Sequence, residues 1–136
     1  MTEELHKPTL ATFWAGRILR TVVVLVLTLD AAVCLFAPQL LSKNMDATGF
    51  PIELAPVIGS LLAISIFLYL LPRTSVVGAI LITGFLGGAI STHLRMGDLA
   101  SAPQIISALL GVGVWGALYF RNGVLRNLLP LTARAQ

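Results

Sequence analysis

Four apolar stretches, each close to the thickness of a bilayer core, constrain this chain more than any other feature. They run over residues 14–37, 54–71, 75–96 and 103–120. A helix rises about 1.5 Å per residue, so roughly 17–25 residues cross about 30 Å of hydrocarbon. A soluble four-helix bundle would return to polar residues every third or fourth position, and these stretches do not. Helices rather than strands follow from the length of the stretches and from the need to satisfy every backbone group inside lipid. Only 11% of the residues are charged, against about 25% in a soluble domain. That is too few to dress a surface for water. The expected fold is an all-α membrane protein, with residues 1–136 forming a single four-transmembrane-helix bundle.

The breaks between the stretches are legible too. Pro38, followed by residues 44–51 with Gly49, reads as a polar connection. Pro72-Arg73-Thr74 reads as a tight turn, and Pro103 suits the first turn of a helix. Arg17 and Arg20 ahead of an apolar core resemble a signal peptide, but the leader is long and the cleavage site poor. The first segment is therefore expected to stay as a membrane helix. Lys7, Arg17, Arg20, Arg73, Arg121, Arg126 and Arg134 fall on one side of the membrane, and only Lys43 and Arg95 on the other. This bias places both termini, with the basic tail 121–136, in the cytoplasm. Trp14, Tyr69, Trp115, Tyr119 and Phe120 then cluster at the cytoplasmic ends, as an interfacial belt would.

Several function classes fall away. The formal charge of +3 sits at the ends of apolar segments, where it anchors to lipid headgroups rather than to nucleic acid. Cys34 is the only cysteine, so no internal disulfide or CxxC chemistry is available. No phosphate loop, dinucleotide fingerprint or HExxH motif occurs. Asp46, Glu53 and Asp98 lie in loops and no histidine pair has ligand spacing, so no metal site is expected.

The residues that could carry chemistry gather toward the outer side. Asp30 lies in the first helix, about 10 Å below its end at Pro38. A carboxylate at that depth costs a few kcal/mol unless it is paired, protonated or hydrated. It is either a ligand- or proton-handling acid or a lock between helices. His93 and Arg95 end the third stretch at a similar depth. At 100° per residue, Arg95 falls within about 20° of Gly84, while His93 points the other way. Arg95 is thus the better expected partner for Asp30, unless it snorkels to phosphate. Gln104 and Ser107, on one face of the fourth stretch, could complete an outward polar pocket or bond across helices. Cys34, one turn after Asp30, is a poor nucleophile if it is buried beside an acid. Gly84, Gly87, Gly88 and Ser91 form a small-residue face that permits close helix packing, within the bundle by default. A bulky residue at Gly88 is then expected to be costly.

The run LYLLPRTSVVGAILITGFLGGAISTHLRMGD, with GFPIELAPVIG ahead of it, resembles the DoxX-like family of small four-helix bacterial membrane proteins. The resemblance spans roughly residues 15–122. Its most specific parts are Pro72-Arg73-Thr74, Gly84 with Gly87-Gly88, and Thr92 to Arg95 followed by Gly97-Asp98. Asp30 followed by Pro38 is similar to the acid-then-proline pattern of the family's first helix. One departure stands out: where relatives often carry a glutamate in the second helix, Leu61 to Ala63 are apolar here.

The resemblance implies a fold closely and an activity loosely. The family takes its name from a subunit of a thiosulfate:quinone oxidoreductase. Other members are linked to thiol-redox and oxidative-stress assemblies, and distant ones to cargo reception or chaperoning. Two readings follow. One is a redox-associated accessory subunit of the bacterial inner membrane, binding a quinone or other apolar ligand and working with a redox partner or as a homo-oligomer. The other is a non-catalytic structural or assembly protein. A channel is disfavoured, because no ring of like charges lines a path.

Overall fold

The computed structural model describes residues 10–123 and 125. Lys7, Arg126, Arg134 and most of the basic tail lie outside the described residues. The chain forms α1 (Leu10–Phe36), α2 (Ser42–Thr48), α3 (Ala55–Leu70), α4 (Ser75–Arg95) and α5 (Ala102–Arg121). Among the described residues, α1, α3, α4 and α5 supply four segments long and apolar enough to cross a membrane. They pack as a ring in which α1 touches α3 and α5, and α4 touches the same two. α1 and α4 face each other on the diagonal.

Proline and local bonds set the helix limits. Leu71 is extended (φ −75°, ψ 127°) because Pro72 follows it, and α3 stops there. The Thr74 hydroxyl donates to the Leu68 carbonyl at 2.9 Å and closes the turn into α4. Pro103 opens α5, where the Gln104 side-chain oxygen accepts the Ser101 N–H at 3.0 Å.

The connection at 38–53 is more ordered than its polar sequence implies. It holds a 3-10 turn at Pro38–Leu41, the seven-residue helix α2 and a second 3-10 turn at Ile52–Leu54. α2 ends on Gly49 with φ +74°, and the Phe50 N–H reaches back to the Met45 carbonyl at 2.9 Å. That left-handed finish suits glycine, since a Cβ would crowd it. Met45 is the side chain that α2 buries.

The core runs along one stripe of each membrane helix. Val23, Leu27 and Ala31 from α1 meet Leu62, Ile66 and Tyr69 from α3, Ala79, Ile82 and Leu86 from α4, and Val114 and Leu118 from α5. Tyr69 is not in an interfacial belt. It is fully buried, its hydroxyl donates to the Val114 carbonyl, and the Arg20 guanidinium lies 5.8 Å from its ring centroid. Arg20 also donates to the Leu70 carbonyl at 2.9 Å.

Close approach occurs at other glycines than the expected ones. A Cβ on Gly78 would overlap the backbone of Tyr69, and one on Gly59 would sit 2.8 Å from Cys34 Cβ. A Cβ on Gly84, Gly87 or Gly88 would meet nothing within 4 Å. Among the described residues these three glycines are therefore in close contact with no other helix, and exposed Ser91 bonds to its own helix at Gly87. The expected close packing through that face is not seen, because α4 reaches the core through Gly78, Ala79, Ile82 and Leu86 instead.

Candidate functional site

The buried positions of α4 stop at Leu86, about two and a half turns before the helix ends. In the space this leaves, α1, α3 and α4 line a partly open cavity of about 420 Å³, with α2 across one end. Gly84, Gly88 and Ala89 form the α4 wall, and the absence of side chains on the two glycines is what makes room. Phe50, Phe85 and Met45 add apolar surface. The polar groups are few: Asp30 and, from α2 and α4, Asn44, Thr48, Thr92 and His93.

Their bonding leaves a definite set of free functions. The Thr92 hydroxyl donates to the Gly88 carbonyl, and that of Thr48 donates within α2, so both retain lone pairs that can accept. Asp30 borders this space and, among the described residues, makes no hydrogen bond or ion pair. His93 Nδ1 lies 3.7 Å from Asp98 Oδ2, close enough for an ion pair when the ring is protonated but too long for a hydrogen bond. That nitrogen is buried and has no hydrogen-bond partner. An acid from α1 and an imidazole from α4 thus border one mostly apolar chamber, from the two diagonal helices.

The other expected site residues go elsewhere. Arg95 does not pair with Asp30. It donates to the Thr48 carbonyl at 3.0 Å, on the end of α2. Gln104 is buried at the start of α5, where its oxygen caps the helix and its amide nitrogen has no partner. Ser107 borders a second, larger groove of about 780 Å³ between α4 and α5. That groove offers volume without chemistry: the Trp115 indole N–H is taken by Thr83 Oγ1 at 2.9 Å, and the remaining surface is almost wholly apolar. We therefore assign the candidate site to the smaller cavity. Asn44, Met45, Thr48 and Phe50 carry no signal of this in the sequence and join the site only because a short helix folds over it. Among the described residues no group of three or more His, Cys, Asp or Glu could hold a metal ion.

The family model described as the DoxX-like family matches residues 18–117. The chain belongs to the DoxX-like family. The match spans the four membrane helices from α1 to most of α5, and so includes every residue bordering the small cavity. No curated protein and no solved structure matches the chain. For this DoxX-like protein the fold and the multi-pass membrane setting rest on the family and on four apolar helices.

Proposed function

We propose that this DoxX-like protein is an accessory subunit that holds an apolar, redox-active small molecule of the quinone class in the cavity between α1, α3 and α4. The observation that carries the reading is the pairing of apolar walls with Asp30 and His93 around one chamber. Its volume lies within the roughly 300–1,000 Å³ of small-molecule sites, which are typically apolar with a few convergent polar groups. A quinone carbonyl needs a donor, which Asn44 or His93 can supply, and a quinol hydroxyl needs an acceptor, which Asp30 can supply. What favours binding over a purely structural role is that Asp30 has no hydrogen-bond or ion-pair partner among the described residues. A carboxylate kept to lock helices together would have one. By the charge bias the cavity faces the outer side of the membrane. A bacterial cytoplasmic membrane, and a redox protein or a second copy as partner, complete this reading.

Extraction of the protein purified in mild detergent, followed by mass spectrometry, tests this. An isoprenoid quinone is expected at near-stoichiometric amount, and it should be lost in Asp30→Asn and His93→Ala variants of unchanged helical content. Recovery of phospholipid alone from the unaltered protein would contradict it.

A further inference from the structure

We propose that α2 is a hinged cover over the cavity and that Arg95 is its latch, a positioning residue that sets access from water without touching the ligand. The inference builds on the binding reading above but stands on separate observations. The cover has hinges at both ends: the 3-10 turn Pro38–Leu41 leads into it, and Gly49 at φ +74° leads out. It carries Asn44, Met45 and Thr48 onto the cavity, with Phe50 just beyond. Besides the contacts of α2 with its flanking turns, two things hold its far end down among the described residues. One is the burial of Met45. The other is the hydrogen bond from the Arg95 guanidinium to the Thr48 carbonyl, with the same nitrogen 3.8 Å from where a Cβ on Gly49 would sit.

The chemistry of that bond fits a latch. The last carbonyls of a helix have no partner within it and carry partial negative charge, so a cation there is favoured. Arg95 follows from the end of α4, the helix that forms the opposite wall of the cavity. One exposed charge-assisted bond is weak enough to break often and strong enough to bias a seven-residue segment. A buried ion pair would fix the cover permanently, whereas this arrangement lets it open.

Cys34 reports on the opening without any ligand. It is the only cysteine, it borders the cavity, and it is 5% exposed. A permanently charged methanethiosulfonate cannot come through lipid and must pass beneath α2, whereas N-ethylmaleimide can arrive by either route. With fast opening, the rate of labelling follows the open population. In Arg95→Gln, labelling of Cys34 by the charged reagent should rise about tenfold, the effect of losing one charge-assisted hydrogen bond. Labelling by N-ethylmaleimide should stay within about twofold, and Arg95→Lys should restore most of the slow rate. Gly49→Ala, which strains the left-handed end of α2 and leaves Arg95 intact, should accelerate the charged reagent in the same way. An unchanged rate in Arg95→Gln overturns the latch. So does equal acceleration by both reagents, since that marks general loosening of the bundle. Neither result bears on whether a quinone is bound, and the absence of a quinone would leave the labelling difference standing.

Discussion

The Tyr69 hydroxyl donates to the Val114 carbonyl at 2.9 Å, joining α3 to α5 across the middle of the bundle. Tyr69 is fully buried, and its backbone is where Gly78 allows α4 to come closest. This one residue thus ties three helices together next to the Pro72–Thr74 turn, away from the candidate site. Tyr69→Phe keeps the ring and its contact with Arg20 but removes the bond. A loss of about 1 kcal/mol is expected in thermal unfolding in detergent, a typical value for one buried hydrogen bond. A larger loss would show that Arg20 depends on the hydroxyl as well.

The glycines make a sharper contrast. Gly78→Ala places a methyl group against Tyr69 backbone, which cannot step aside as a flexible side chain could. A destabilisation of about 2–3 kcal/mol or more is expected. Gly87→Ala meets open space, and replacing a mid-helix glycine there should be neutral or stabilising by up to about 1 kcal/mol. Melting curves of the two variants side by side decide the matter, and equal melting would contradict the packing described.

Asp30 and Arg95 were the natural pair by depth, but the structure gives Arg95 to Thr48. The stability effects of Asp30→Asn and Arg95→Gln should therefore add, with a coupling below about 0.5 kcal/mol in a double-mutant cycle. Rescue of either single variant by the double one would mean that the two side chains meet.

The orientation inferred from charge is tested with a reporter active only in the cytoplasm. Fusions after Arg73 and beyond Arg121 should give signal, and fusions at residues 45 and 99 should give none. Signal at either of the latter sites would invert the bundle.

The four membrane helices were legible in the sequence because length and hydropathy alone decide them, and their limits moved by only a few residues. The run Ser42–Thr48 was not, because a short polar segment becomes helical only once Met45 is buried and Gly49 supplies its left-handed end. Asp30 and His93 were legible as costly residues at matching depth. What brings them to one cavity is rotation about the helix axes, which depth does not specify. The same ambiguity explains the glycines: a conspicuous small stripe at Gly84–Gly88 lines a cavity, while the isolated Gly59 and Gly78 carry the close crossings. Tyr69 lay near a helix end and looked interfacial, yet its partner Val114 lies 45 residues away in sequence.

On the proposed function, the cavity bordered by Asp30, Cys34 and His93 takes up a quinone-like molecule. Alkylation of Cys34 by N-ethylmaleimide, followed in detergent while a fully ring-substituted short-chain quinone is titrated in, tests it directly. Such a quinone cannot add to the thiol, so any slowing reports occupancy of the chamber. The expected result is saturable protection of Cys34 in the unaltered protein, weakened at least tenfold in apparent affinity by Asp30→Asn, about the 1.4 kcal/mol of one polar contact. An alkylation rate that does not change up to the solubility limit of the quinone would contradict the claim.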